Sequence, residues 1–489
     1  GKVLLVTFLS RKVTRVSPRV PINCNLSTKL LVEVIMNNNI FNVKDFGAVA
    51  DGVTINSAAV QKAIDTCALQ GGGTVLFEGG EFVLSTVFLK ENITICIDKT
   101  AKILGAPSFY DYAPQEEIDY PLYQDASHSY FDHSMFVAKN CDNLTFMGGG
   151  EIDMRSVWDE DDVRKIVGRG PKTIALRECN NVKIYDLEIN NTTDLAIYFA
   201  GCEDVEIYNI KMRVYIDGIS PDNCKNVYIH DCDVESGDDG IVFKSSYTLN
   251  RLGVCDNITV KNCRVKSRCS AVKFGTETNG GFYNFTIDNI DIRETRITAI
   301  AIESVDGAII DGLTLKNMHI RNAGAPLFIH LGLRMRGPEG REIGRIRNIT
   351  LENIVAEGPY EPWEAIAWNM KTHHIGDTLQ YPWDFTSDHV YGPQLTSNVC
   401  GLPEIPLENI VLRNVKFVVE GNVFEWRKDV PDNANGYPEV HIYGRPLPAK
   451  GIFFRHINGL TLDNVTVESY KEDGREDFVF DDVENLVIK

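Results

Sequence analysis

The sequence predicts an all-β chain folded as a single-stranded right-handed parallel β-helix, closed at its N-terminal end by a helical cap. Three observations carry this. A short phrase recurs at near-constant spacing, each copy alternates apolar and polar residues, and almost no helical periodicity lies between copies.

The phrase Cys179-Asn180-Asn181-Val182-Lys183-Ile184 returns as Cys202-Glu203-Asp204-Val205-Glu206-Ile207, Cys224-Lys225-Asn226-Val227-Tyr228-Ile229 and Cys255-Asp256-Asn257-Ile258-Thr259-Val260. An earlier copy starts at Cys141, and looser ones contain Asn284, Asn348, Asn409, Gly459 and Asn485. From Asn181 through Asp204, Asn226 and Asn257 to Asn284 the steps are 23, 22, 31 and 27 residues. A period of about 20 to 50 residues marks a solenoid, and strand alternation makes it a β-helix. Asn tolerates left-handed backbone angles at the turn, and its side chain can bond the coil above. Asn257, Asn284 and Asn348 also read as N-x-Ser/Thr sequons, and the repeat assigns them to this ladder instead.

The cap is expected at Ser57 to Leu69, an amphipathic helix with Ala59, Ala63, Ile64 and Cys67 on one face, Ser57 as N-cap and Gly71-Gly72-Gly73 as terminator. Residues 1–40 read as an N-terminal extension of unclear role, and residues 41–489 as the parallel β-helix catalytic domain. Val3 to Leu9 is too short and too closely followed by Arg11 and Lys12 to make a clear signal peptide. No apolar run reaches about 20 residues, so no membrane span is expected. The long gaps after Asn348 and Asn409 hold insertions, including Tyr360-Glu361-Pro362-Trp363 and Tyr381-Pro382-Trp383, whose rings could stack on sugars or pack the insertion down.

Composition narrows the function. The chain has 489 residues, 44% apolar and 24% charged, with a net charge of -19. That balance argues against nucleic acid as partner, because phosphate binding needs basic surface. It leaves room for an acidic polysaccharide met by a local basic pocket. The 12 cysteines form no CxxC pairs, and five of them occupy the repeated position as buried small apolar residues.

The sharpest chemical signal is Ser236-Gly237-Asp238-Asp239-Gly240, with Asp217-Gly218 one coil earlier. Asp217 is expected to stack beside Asp238 on the neighbouring strand, about 4.8 Å away. Crowded carboxylates leave an acid beside a base, which hydrolysis of a glycosidic bond requires. Asp-Gly turns and a calcium site are the other readings of the same residues.

Asp217-Gly218-Ile219, Pro221-Asp222-Asn223-Cys224-Lys225-Asn226-Val227 and Gly237-Asp238-Asp239 together resemble the core signature of glycoside hydrolase family 28, the polygalacturonases and rhamnogalacturonases. Asp45-Phe46-Gly47-Ala48, Asp51-Gly52, Gly71-Gly72-Gly73-Thr74-Val75, Tyr437-Pro438-Glu439 and Arg455-His456 resemble segments of its bacterial members. The resemblance implies an inverting glycosidase without cofactor or metal, acting outside the cytoplasm on a pectic polysaccharide or oligosaccharide. Asp238 would be the general acid, and Asp217 and Asp239 would hold and deprotonate the attacking water. Inversion needs room for that water between base and sugar.

Three departures bear on substrate. Tyr215-Ile216 stand where the family has Asn-Thr, Cys269-Ser270-Ala271 where it has Gly-His-Gly, and Ala301-Ile302-Glu303 where it has Arg-Ile-Lys. Ser270, Glu303, Lys244, His330 and Arg334 are the candidate substrate-binding residues. Glu303 in place of a Lys would repel a uronate, so weak activity on plain polygalacturonate is expected. A β-helix polysaccharide lyase and a non-catalytic carbohydrate-binding β-helix are the rival readings.

Overall fold

The computed structural model describes residues 39–157, 170–360, 395–432 and 434–489. They form a right-handed parallel β-helix whose strands, from Ile40 to Ile488, pair in parallel coil upon coil. Register explains why the repeated phrase produces it. Val182, Val205, Val227, Ile258, Phe285, Leu313, Ile349, Ile410 and Leu460 are successive register partners, and all are buried. One inward position per coil thus becomes an unbroken apolar column. Each such side chain contributes about 1.5–3 kcal/mol relative to exposure.

The residue before each of these turns the chain. Asn181, Asp204, Asn226, Asn257, Asn284, Asn348 and Asn409 have φ between 54° and 57°. Gly312 and Gly459 take the same position at φ +78° and +87°, where a glycine meets no steric penalty. The side chains bond along the axis: Asn181 to Asn143 at 2.7 Å, Asn226 to Asp204 at 3.0 Å, Asn257 to Asn226 at 2.8 Å and Asn409 to Asn348 at 2.7 Å. A second ladder, five residues further along each coil, was not anticipated. Asn289 bonds Asn262 at 2.8 Å, Asn353 bonds Asn317 at 3.0 Å, and Asn464 bonds Asn414 at 2.9 Å. The described cysteines are all free, and all but Cys269 are buried.

Helix α1 (Ser57–Leu69) lies at the N-terminal end with Val60, Ala63, Ile64 and Cys67 buried. Its N-cap is Asn56 rather than Ser57. Asn56 uses its side chain on Val49 and Thr54, and Ser57 Oγ lies 2.9 Å from Ser85 Oγ. The N-terminal extension and the second aromatic cluster fall outside the described residues, as does the first beyond Tyr360. Tyr360 donates its hydroxyl to Val418 O at 2.8 Å. No helix among the described residues is long and apolar enough to cross a membrane.

One face of the solenoid positions the site. Its strands are β1 (Ile197–Ala200), β2 (Ile219–Asp222), β3 (Ile241–Ser245), β4 (Ser270–Thr278), the last parts of β5 (Gly281–Ser304) and β6 (Ile309–Leu331), then β7 (Ser397–Cys400) and the start of β8 (Ala449–Ser469). Ile197, Ile219, Ile241, Val272, Ile300 and Leu327 point inward in register. The alternate residues point outward, and their row runs through Lys273, Ala301, Phe328, Asn398 and Phe453.

Candidate active site

A cavity of about 460 Å³ opens on this outward face. Its lining includes Asp217, Asp238 and Asp239, so the three carboxylates picked out by the sequence meet in one place. Their stacking differs from expectation. Ile219 is the register partner of Ile241, an offset of 22 residues. Asp217 is therefore level with Asp239, whose N–H donates to Asp217 Oδ1 at 3.2 Å. Asp238 lies level with Ile216 and donates its N–H to Ile216 O at 3.3 Å. The expected Asp217–Asp238 pairing is one residue out of register, since Asp239 is the residue level with Asp217, although all three carboxylates line the cavity.

The turn around Asp238 is tightly held. A Cβ on Gly237 would come within 2.1 Å of Tyr215 O, so only glycine fits this close approach. The Asp238 carbonyl accepts both the Ser236 hydroxyl at 2.9 Å and the Ser267 hydroxyl at 2.6 Å. Asp217 and Asp239 are buried, whereas Asp238 is half-buried. One carboxylate oxygen each of Asp238 and Asp239 and the Cys269 sulfur lie within 4.8 Å of one another.

Two buried lysines meet the buried carboxylates. Lys244 Nζ is 3.5 Å from Asp217 Oδ2 and 3.3 Å from Glu277 Oε2. Lys273 Nζ is 3.1 Å from Asp239 Oδ2, and the Ser270 N–H donates to Asp239 Oδ1 at 3.1 Å. Burial disfavours both ammonium groups. The carboxylates of Glu277 and Asp217 overcome this for Lys244, those of Asp239 and Glu303 for Lys273, and both lysines are held well above the ordinary range. Glu277 is held low, because Lys244 and the neighbouring cations outweigh its burial.

The five expected substrate-binding residues separate. Lys244 lines the cavity. Ser270 is buried beneath Asp239 and contacts it through its backbone. Glu303 is 1% exposed and does not border the cavity. Burial raises its carboxyl to about 8, against the pull of Lys273. His330, the register partner of Glu303, is buried as well. Its Nδ1 lies 2.7 Å from the Tyr443 hydroxyl, and burial lowers its imidazole to about 3. Arg334 stands back from the cavity, its Nε 2.9 Å from Asp306 Oδ1.

Sequence reading missed several lining residues: Lys273, Glu277, Arg268, Arg296 and the pair Asp125 and His128. Arg268 and Arg296 follow one another on successive coils, since the N–H groups of Ile297 and Thr298 both donate to Cys269 O. That coil-to-coil offset of 28 residues was a readable signal, because it lies within the period of the repeat. Nothing local announced Asp125 and His128. They arrive from a long connection before the repeat begins.

Both ends of the outward face are covered. At one end Tyr198 packs against Phe131 and His128, with ring centroids 5.4 and 5.7 Å apart. At the other, Ala301, Phe328 and Phe453 are buried under Val440, Ile442, Tyr443 and Leu447. The carboxylates lie between these two apolar covers.

A parallel β-helix with clustered aspartates in a sugar-sized cavity has the form of a glycoside hydrolase. The model of the glycosyl hydrolases family 28 matches residues 97–359, and the chain belongs to that family. A probable polygalacturonase of Vitis vinifera is 23% identical over 417 residues, covering 76% of this chain and 82% of its own. An endo-polygalacturonase of Pectobacterium carotovorum subsp. carotovorum is 22% identical over 334 residues, covering 63% and 79%. Among solved structures, the family 28 exopolygalacturonase of Yersinia enterocolitica superposes with a TM-score of 0.66 at 17% identity, covering 92% of this chain and 78% of that one.

Proposed function

We propose that the protein is an inverting, exo-acting hydrolase that removes the terminal residue of a uronate-containing pectic chain. The observation that carries this reading is the placement of Asp217, Asp238 and Asp239 in a cavity flanked on both sides by packed apolar covers. A polymer threading through would need an open groove, whereas a chain end needs only a pocket. The volume falls within the range of about 300–1,000 Å³ typical of small-ligand sites.

The roles follow from the surroundings of each carboxylate. Asp238 is the most accessible of the three, half-buried where Asp217 and Asp239 are buried. It is the group suited to carry a proton to the leaving oxygen. Asp217 and Asp239 each have a buried lysine beside them, and they are the pair suited to hold the attacking water and accept its proton. Removal of the proton from water and delivery of the Asp238 proton to the leaving group balance the displacement.

Arg268 and Arg296 suit a uronate, because guanidinium groups from adjacent coils match the fork geometry of a carboxylate. Glu303 is buried and does not line the cavity, and this reading therefore keeps polygalacturonate among the substrates. A pectic polymer meets an enzyme outside the cytoplasm, and the reading places the protein there.

Incubation with oligogalacturonides and mixed rhamnose–galacturonate oligomers, with products resolved over time, tests the proposal. Monomer release from the first minutes, with inverted anomeric configuration, is expected. A ladder of intermediate lengths would overturn exo action. An unsaturated product absorbing in the ultraviolet would replace hydrolysis with elimination. No turnover of any pectic substrate would favour the binding-protein reading.

A further inference from the structure

The segment Tyr437-Pro438-Glu439 and the pair Arg455-His456 stand out in the sequence, yet the three aspartates do not use them. The structure joins them. Tyr437 and Glu439 line the same cavity as the aspartates, although they belong to a connection about 200 residues further along the chain. Tyr437 as a residue is 60% exposed.

Both limbs of this connection are fastened. On the far limb, Val440, Ile442, Tyr443 and Leu447 pack on Phe328 and Phe453, and the Asn398 amide donates to Val440 O at 2.9 Å. On the near limb, Leu333 N–H donates to Ala434 O at 2.6 Å. Arg455 completes it. Its Nη1 donates to Val430 O at 2.9 Å and to Asp432 Oδ1 at 2.8 Å. Its Nε lies 2.8 Å from Asp481 Oδ2, and its guanidinium sits 5.0 Å from the Phe453 ring centroid. Arg455 is 7% exposed. A nearly buried guanidinium thus ties the loop to the last coils, and His456 Nε2 adds a contact to Asp432 Oδ1 at 3.4 Å.

We propose that Tyr437 and Glu439 form a sugar-binding wall beside the scissile bond, and that Arg455 is the positioning residue that latches this wall in place. The ligand class is a pyranose. Its C–H face would lie on the Tyr437 ring, and its hydroxyls would donate to the Glu439 carboxylate. The proposal rests on the reading that the cavity holds a sugar, and it adds the residues that grip that sugar beside the aspartates.

The test separates binding from turnover. In a protein made inactive by Asp238→Asn, calorimetric titration with a galacturonate oligomer gives the affinity directly. Adding Tyr437→Ala or Glu439→Gln should weaken it about tenfold each. In the active enzyme, Asp432→Ala removes the side-chain contact of the latch while keeping the Arg455 bonds to Val430 O and Asp481. It should raise KM about fivefold and leave kcat within about twofold. Arg455→Lys should show the same split, since a lysine keeps the charge and loses the fork. A general structural defect would instead lower kcat or the folded fraction. Unchanged affinity in both wall variants, with the parent still binding, overturns the wall alone. A fall in kcat at constant KM for Asp432→Ala overturns the latch. A parent that binds no oligomer overturns the sugar-site reading and the wall with it.

Discussion

Lys273→Met probes the electrostatic design of the site. Lys273 and Asp239 are 3.1 Å apart, with both side chains 5% exposed. Methionine preserves most of the volume and removes the charge. Asp239 keeps the Ser270 N–H but loses its buried cation. Breaking a buried ion pair by deleting one partner costs about 3–5 kcal/mol, because the remaining charge is stranded. Denaturant unfolding at pH 7 should show a loss of that size, with hydrolysis also lost. Adding Asp239→Asn should return most of the stability, since the stranded charge is gone, without returning activity. A single variant within about 1 kcal/mol of wild type, well below the buried-pair cost, would refute the reasoning. So would a double variant no more stable than the single one.

Asp238→Asn should lower kcat about 100- to 10,000-fold with the unfolding midpoint unchanged, as expected for loss of a positioned acid. Near-normal rates would remove Asp238 from the mechanism. Glu303 supplies a pH signature. Its carboxyl is raised in the folded protein from 4.5 to about 8, so the folded state retains a proton that the unfolded chain releases. Stability from this group is present below its unfolded value and falls as pH rises through that window. Glu303→Gln should therefore flatten the decline, with the gap between variant and wild type growing to about pH 8 and then levelling; parallel pH profiles would contradict it. A chelator should leave the rate unchanged, because lysine ammonium groups occupy the positions beside Asp217 and Asp239 that a cation would need. Loss of activity restored by calcium would point to a lyase.

The sequence by itself determined the solenoid and located the carboxylates that meet in its cavity. A β-helix repeats one local rule in every coil: an Asn or Asp at positive φ, then an inward apolar residue. Asn181-Val182, Asp204-Val205 and Asn226-Val227 state that rule within a few residues. Asp217 and Asp239 are one coil apart, so their meeting follows from the period. Even there the tertiary structure had to choose the register, since a slip of one residue exchanged Asp239 for Asp238 as the partner of Asp217. Only the tertiary structure decided what faces the cavity. Glu303 and His330 share the outward parity of the cleft strands, yet the connection bearing Tyr443 buries His330, and Glu303 lies behind Lys273. Asp125, His128, Tyr437 and Glu439 reach the cavity from connections before and after the coils that carry the aspartates. Contacts between coils repeat a fixed period and can be read along the chain. The path of a long connection depends on packing against surfaces remote in sequence, and no local pattern encodes it.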